Sequence, residues 1–190
     1  MYMTTPLEKR NRRMYIAGFM TSGKSTIGPI LANALGFEFV DLDVAIATMA
    51  GKSIREIFLE DGEAHFRQKE RDLVAELSAR DRTVIALGGG TVEDPETLNR
   101  VTSTGILVYL KVPVDEIVRR LRNKTDRPMV LGPDGERLNE DDLRQRILTI
   151  LSRREPLYGR ADLTISADQA RIGVTVDRLV HMLSPLVGKD

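Results

Sequence analysis

Short hydrophobic runs alternate with longer amphipathic stretches along most of this chain. Three of the short runs are apolar at nearly every position, which is typical of central strands that helices cover on both faces. Strands separated by helices of this length predict βαβ units and a mostly parallel sheet, and therefore an α/β fold. The predicted strands are 14–17, 38–42, 84–87, 106–110 and 163–165, and the predicted helices are 24–35, 44–50, 53–59, 63–79, 95–101, 114–121, 140–152 and 174–183.

The length of 190 residues suits one domain, and no internal repeat or low-complexity tract divides the chain. We therefore expect a single domain over residues 1–190. Residues 1–13 are basic and have no apolar core before Met14, which predicts a flexible N-terminus rather than a secretory signal. The stretch 122–139 has no apolar periodicity, and a loop of this length in a compact domain is typical of a lid or a disordered segment.

The composition disfavours several functional classes. Lys plus Arg and Asp plus Glu each total 28, so the net charge is zero, whereas nucleic-acid binders usually carry a basic excess. The chain has no cysteine, which excludes disulfides and thiolate chemistry and fits the cytoplasm. No apolar run approaches the roughly 20 residues that span a bilayer. We therefore expect a cytoplasmic protein whose partners are neither nucleic acids nor membranes.

Residues 18–25 match the pattern G-x-x-x-x-G-K-[ST] of a phosphate-binding loop. The loop follows a predicted strand and opens a predicted helix, an order that favours phosphate binding over a glycine-rich turn with an exposed lysine. Backbone N–H groups and the helix N-terminus would bind phosphate oxygens, Lys24 would contact the β- and γ-phosphates, and Ser25 would ligate Mg²⁺. The expected ATP site comprises Gly18, Thr21, Ser22, Gly23, Lys24, Ser25 and Thr26.

Polar residues follow two further predicted strands. Asp41 and Asp43 end the second strand, and Gly88, Gly89 and Gly90 follow the third. Because ligands of an open parallel sheet bind at the carboxyl ends of its strands, these residues should lie beside the phosphate loop. One carboxylate could hold Mg²⁺ through water while the other accepts a proton from an acceptor hydroxyl. The alternatives are a helix cap for one aspartate and a tight turn for the glycines.

Taken together, the motifs resemble those of the shikimate kinase family. The resemblance runs from Met14 to about Ser166. It rests on the phosphate loop and on five further motifs, which are Asp41-Leu-Asp43, Gly62-Glu-x-x-Phe-Arg67, Gly88-Gly-Gly90, Asp126-Arg-Pro128 and Arg154-Glu-Pro-Leu-Tyr158. It implies a three-layer P-loop kinase fold whose five-stranded parallel sheet, in the order 2-3-1-4-5, is flanked by helices and carries a mobile lid. It also implies transfer of the γ-phosphate of ATP to the 3-hydroxyl of shikimate, in the pathway toward chorismate and aromatic amino acids.

The resemblance also assigns roles to individual residues. Residue type and spacing alone did not distinguish the site arginines from the many other arginines of the chain. It assigns catalysis to Lys24, to Asp43 as the base and to Arg127 in the lid. It also implies that Ser25 binds Mg²⁺ directly and that Asp41 binds it at longer range. Shikimate is bound by Asp43, Arg67, Gly88, Gly89, Gly90 and Arg154, with the two arginines clamping its carboxylate. Arg127 and Arg171 complete the ATP site, and the family pattern favours a monomer.

One departure from the family pattern lies in the phosphate loop, where Thr21 replaces a residue that is commonly glycine. The general pattern of the loop tolerates this change, so we expect ATP binding to persist. Three other interpretations remain open at the level of sequence. They are a gluconate kinase, a kinase for an amino analogue of shikimate, and a catalytically silent relative that binds a partner.

Overall fold

The computed structural model describes residues 12–122, 128–132, 135–167 and 172–187. In this part of the chain, five strands form one sheet in the order β2-β3-β1-β4-β5, and every neighbouring pair is parallel. Both the α/β class and the strand order match the prediction. The strands are β1 (Arg13–Ala17), β2 (Glu38–Asp41), β3 (Thr83–Ala86), β4 (Ile106–Lys111) and β5 (Leu163–Ser166).

Helices connect these strands at nearly all of the predicted places. The bounds are α1 (Lys24–Leu35), α2 (Leu42–Ala50), α3 (Ile54–Glu56), α4 (Glu63–Leu77), α5 (Pro95–Thr104), α6 (Val114–Arg122), α7 (Glu140–Tyr158) and α8 (Ile172–Leu183). Short turns of other helix types occur at Ile57–Asp61, Thr91–Glu93 and Pro128–Val130. None of the helices within the described ranges is long and apolar enough to cross a membrane.

Several helical boundaries differ from the prediction by one to six residues, and three of these differences change the local structure. The helix predicted from residue 44 begins at Leu42, because the side chain of Asp41 caps it. The predicted helix 53–59 is a single α-turn that continues as a π-turn over Ile57–Asp61. The helix predicted to end at residue 152 continues to Tyr158 with Pro156 inside its last turn.

The long helix α7 persists past the expected stop because one of its faces is anchored in the core. Leu143, Ile147, Leu151 and Tyr158 are buried along that face. A proline removes one backbone donor and disfavours a helix interior, but in the final turn only a few residues follow it. Burial of the tyrosine therefore keeps Arg154 on a rigid helix rather than in a loop.

The centre of the molecule is formed by β1, β3 and β4, whose apolar side chains are almost fully buried. Helices α1 and α8 pack against each other, and α4 packs against α2 and α5. Burial on both sides explains why these strands are near-continuous hydrophobic runs. Their carboxyl ends lead into the phosphate loop, the triple glycine and α6, so one edge of the sheet collects the candidate functional segments.

The predicted N-terminal arm and lid are described only in part, and both Arg127 and Arg171 lie outside the described residues. Arg13 already belongs to β1, where it pairs with Thr83. At the base of the predicted lid, Val130 is buried and its carbonyl accepts a hydrogen bond from the backbone N–H of Leu138 at 2.9 Å. Val130 and Leu138 both lie within the predicted lid segment, where they are bonded to each other and packed on the hydrophobic core.

Candidate active site

The loop after β1 has the backbone conformation of a phosphate cradle. Gly18 and Gly23 adopt φ angles of 153° and 100°, and Gly23 is the N-cap of α1. A Cβ atom at Gly18 would lie 2.8 Å from the carbonyl oxygen of Leu110, so this position requires glycine. The ammonium group of Lys24 lies over the loop and donates to the carbonyl oxygens of Gly18 and Phe19, at 2.8 and 3.1 Å. The positive end of α1 and a lysine thus face one concave surface.

Thr21 adopts a left-handed conformation in this loop, with a φ angle of 64°. This backbone region is unusual for a residue other than glycine, asparagine or aspartate. The hydroxyl oxygens of Thr21 and Ser22 are buried and have no hydrogen-bond partner among the described residues. Buried hydroxyls without partners are costly, so both are free to bind a ligand in the loop.

A cavity of about 230 Å³ adjoins the loop and extends toward α8. Arg120 of α6 lines it and donates to the carbonyl oxygens of Thr21 and Ala167, at 2.8 and 3.0 Å. The same guanidinium donates to Glu116 at 2.6 Å. Hydrogen bonds from Arg119 and then Arg120 lower the pKa of Glu116 to about 2, so its carboxylate stays charged and fixes the arginine. Sequence patterns did not identify Arg120, because it lies in no recognised motif.

Asp41 performs the capping role that the sequence left open, and it also contacts the phosphate loop. Its Oδ1 accepts from the backbone N–H groups of Asp43 and Val44, at 3.1 and 3.3 Å. Its Oδ2 accepts from the hydroxyl of Ser25 at 2.6 Å. The two oxygens of this carboxylate thus have different roles. Oδ1 caps the helix, and Oδ2 lies beside the phosphate loop.

Asp43, like Asp41, is partly buried. Burial, and then the nearby charges of Glu70 and Asp41, raise its pKa to about 6, while Lys24 and Arg67 oppose the shift. A carboxyl group whose pKa is close to neutral is suited to accept a proton and release it again. The structure brings this group and the charge of Lys24 to the same edge of the sheet.

Glu70 is the main residue of the candidate site that the sequence interpretation missed. It is only 2% exposed, accepts a hydrogen bond from Thr91 at 2.5 Å and is ion-paired with Arg67. One signal could have found it. Glu70 continues the inward-facing stripe of α4 between Phe66 and Leu73, and a charged residue in an apolar stripe needs a partner or a function.

Two arginines face the triple glycine from different helices. A Cβ atom at Gly90 would lie 2.8 Å from Nη2 of Arg67, and one at Gly89 would lie 3.6 Å from Nη1 of Arg154. The Nε atom of Arg154 is buried and has no acceptor within the described ranges. A guanidinium donor that lacks an acceptor is suited to bind an anion. Arg119, by contrast, is paired with Glu116 away from the glycines.

Comparison with known proteins agrees with this geometry. The family model described as "Shikimate kinase" matches residues 20–184, which is most of the chain. The chain belongs to the shikimate kinase family. Curated relatives named shikimate kinase include one from Chlorobium chlorochromatii, 49% identical over 177 residues, with 93% of each chain covered. Another, from Chlorobaculum tepidum, is 45% identical over 175 residues and covers 92% of each chain.

Solved structures of the family have the same fold. The shikimate kinase from Bacteroides thetaiotaomicron is 33% identical, with a TM-score of 0.81 over 90% of this chain and 98% of its own. The enzyme from Acinetobacter baumannii, solved in complex with shikimate, is 32% identical with a TM-score of 0.80, covering 92% and 94%. A gluconokinase from Sinorhizobium meliloti has a TM-score of 0.55 at 15% identity, a likeness that extends to the fold alone.

Proposed function

We propose that this protein transfers the γ-phosphate of ATP to the 3-hydroxyl of shikimate, giving shikimate 3-phosphate and ADP. The observation that carries the proposal is the pair of arginines at the triple glycine, one of which has a buried donor without an acceptor among the described residues. A planar guanidinium fork binds a carboxylate through two hydrogen bonds, and shikimate carries one carboxylate on a compact ring. Membership of the family supports the choice of acceptor.

On the donor side, the loop would hold ATP by its phosphates. Gly18 and Gly23 would contribute backbone N–H groups, and Lys24 would leave its carbonyl partners to contact the β- and γ-phosphates. The unsatisfied hydroxyls of Thr21 and Ser22 support contacts with the nucleotide. Thr26, on the first turn of α1, lines the adjoining cavity and completes this half of the site.

Ser25 and Asp41 fit a Mg²⁺ site that uses few protein ligands. Their side-chain oxygens lie 2.6 Å apart beside the loop. Within the described ranges, no cluster of three or more His, Asp or Glu residues could hold a metal on its own. Mg²⁺ usually keeps several waters and binds through one or two protein oxygens and the phosphates of the substrate, so this donor set fits. When bound, the ion would neutralise charge on the transferring phosphate.

On the acceptor side, Asp43 would accept the proton of the 3-hydroxyl of shikimate as the hydroxyl oxygen attacks the γ-phosphorus. The new O–P bond forms while the bond from the γ-phosphorus to the β–γ bridging oxygen breaks, and ADP leaves with the electron pair. Because the pKa of Asp43 is about 6, the group is mostly ionised at neutral pH yet still basic enough to take the proton. Arg67 and Arg154 would fix the ring through its carboxylate, and the triple glycine permits close approach of the backbone.

Arg127 and Arg171 stay part of the proposal through the family resemblance alone. Arg127 would touch the transferring phosphate when the lid closes, and Arg171 would flank the adenine. Both halves of the site come from one chain, which supports a monomer as the active form. The proposal also places the reaction in the cytoplasm.

A coupled assay of ADP release tests the proposal, with shikimate, an amino analogue of shikimate and gluconate offered separately together with Mg²⁺. We expect turnover with shikimate to exceed that with either competitor by at least tenfold in kcat/KM. Faster turnover of gluconate or of the amino analogue would show that shikimate is not the preferred acceptor. ATP binding without ADP release on any of the three would instead support a silent relative.

A further inference from the structure

We propose that Glu93 is a positioning residue for Arg154, which it holds in place for the carboxylate of the acceptor. The inference rests on the proposed function, because it adds a partner to one half of the carboxylate clamp. Glu93 belongs to none of the motifs that indicated the site from the sequence. Its assignment comes from a contact between two segments that lie 61 residues apart in the chain.

The contact joins the two walls of the acceptor site. Glu93 is the last residue of the turn Thr91–Glu93, which follows the triple glycine, and its backbone N–H donates to the carbonyl of Gly90 at 2.9 Å. Arg154 lies near the end of α7 and donates from Nη2 to Oε2 of Glu93 at 2.8 Å. The helix cap of α5 is formed by the next residue, Asp94, so the carboxylate of Glu93 is not needed there.

Glu93 engages only one nitrogen of the guanidinium. Arg119 shows the alternative, since Glu116 accepts from both its Nε and its Nη2, at 2.7 and 2.6 Å. Arg154 instead gives Nη2 to Glu93, while its Nε is buried with no acceptor in the described part of the chain. Arg154 also forms a side-chain hydrogen bond with Tyr158, so Glu93 is one of two polar partners that hold the arginine while its Nε lacks an acceptor among the described residues.

Fixing this arginine should matter because a free arginine side chain populates many rotamers. Binding then includes the cost of ordering it, and a partner that orders it beforehand strengthens binding. Arg154 is 12% exposed, and its guanidinium carbon lies 6.0 Å from the ring centroid of Phe19, so the side chain is confined on another side as well. Glu93 adds a further restraint through its hydrogen bond with Nη2.

The negative charge of Glu93 should also weaken binding of the acceptor carboxylate, because it partly neutralises the positive charge of Arg154. Glu93 is 31% exposed, however, and water screens an ion pair at such a position. The geometric effect should therefore exceed the electrostatic one. Arg67 is held in a similar way by Glu63 and Glu70, so each arginine of the clamp has acidic residues that orient it.

Steady-state kinetics of Glu93 variants test the inference. We expect Glu93→Ala to raise the KM for shikimate about 5- to 10-fold while kcat and the KM for ATP stay within twofold of wild type. Glu93→Gln keeps an acceptor oxygen at the same reach and should stay within twofold in all three. Glu93→Asp, whose carboxylate is too short to reach Nη2, should resemble the alanine variant and serves as its replacement if that variant does not fold.

A matched control and a double variant complete the design. Glu96→Ala removes a surface partner of Arg100 at 3.8 Å and should leave the kinetics unchanged. In an Arg154→Lys background, Glu93→Ala should add less than twofold to the KM for shikimate, because the residue through which it acts has lost its fork.

Several results would overturn the inference. An unchanged KM in Glu93→Ala would remove the positioning role, and a lower KM in both the alanine and glutamine variants would make Glu93 a competitor of the substrate. Additive effects with Arg154→Lys, or a parallel loss of kcat, ATP affinity and melting temperature, would indicate a merely structural residue. Absence of shikimate turnover in wild type would overturn the proposed function and this inference with it, whereas the other results leave the proposed function intact.

Discussion

Asp43 and Glu70 face each other across Gly88, so closely that a Cβ atom on the glycine would lie 2.7 Å from Oδ1 of Asp43 and 2.8 Å from Oε1 of Glu70. The negative charge of Glu70 disfavours the ionised form of Asp43, which contributes to the raised pKa of Asp43 after the larger effect of burial. Glu70 stays in place through its ion pair with Arg67 and its hydrogen bond from Thr91. The base and the carboxylate clamp of the proposed reaction are therefore electrostatically coupled.

Gly88→Ala tests how tightly this space is filled. The added methyl group must displace Asp43, Glu70 or Thr91, and overpacking of this kind costs about 1–3 kcal/mol. We expect the melting temperature to fall by roughly 3–10 °C and kcat to fall with it. Gly89→Ala is the matched control for stability, because its nearest neighbour would be at 3.6 Å. Equal melting temperatures of the two variants would contradict the close packing.

The pH dependence of turnover reports on Asp43. With a pKa of about 6, the group is protonated below that pH, so kcat/KM for shikimate should fall about tenfold per pH unit on the acid side. Asp43→Asn should lower kcat by about 10²–10⁴-fold while ADP binding persists. A flat profile between pH 5 and 7 would exclude Asp43 as the base.

The raised pKa of Asp43 should make the contribution of this residue to protein stability smaller at neutral pH than at acidic pH. The folded pKa of about 6 exceeds the ordinary value of 3.8, so the folded state binds the proton more tightly. The contribution of Asp43 to the free energy of unfolding thus falls as the pH rises from about 4 to about 6, by at most about 3 kcal/mol, and stays low above that range. Asp43→Asn should raise the melting temperature at pH 8 and not at pH 4. The exposed control Asp72→Asn should show no such difference.

Asp41 combines a cap with a proposed role at the metal, and two substitutions separate them. Asp41→Asn keeps a good capping residue and should hold the melting temperature within about 2 °C. It should raise the Mg²⁺ concentration for half-maximal activity about 10- to 100-fold. Asp41→Ala should lose about 1 kcal/mol of stability as well. A Mg²⁺ requirement unchanged in both variants would leave the residue as a cap only.

Arg67 is better tested by lysine than by alanine. Alanine would leave Glu70 buried without its partner, which destabilises the fold and obscures the kinetics. Lysine keeps a positive charge beside Glu70 but cannot donate to a carboxylate through two nitrogens. We expect the KM for shikimate to rise about 10- to 100-fold, since charge-assisted hydrogen bonds contribute about 1.5–3 kcal/mol. The matched change Arg71→Lys, at an arginine 3.7 Å from Asp94, should have no such effect.

Local patterns predicted most of the fold. The apolar runs of β1, β3 and β4 and the glycine after α1 are signals within a few residues, because strand burial and helix ends depend on neighbours in the chain. The capping box of Ser53 and Glu56 is also present, with bonds of 2.7 and 3.2 Å. The extension of α7 through Pro156 was not predictable locally, since it depends on burial of Tyr158 against distant elements.

The features of the candidate site likewise divide into those that the sequence predicted and those that depend on tertiary contacts. The sequence by itself determined the phosphate loop and the presence of an acidic pair and a triple glycine after neighbouring strands, because each is a short motif whose chemistry follows from adjacent residues. Residue type and spacing did not select the arginines, and the family resemblance named Arg67 and Arg154. Only the tertiary structure showed that they face those glycines and that Glu70 and Glu93 contact them, because these pairings depend on how helices pack across the sheet edge. Contacts between residues 61 positions apart leave no periodic signal in the chain.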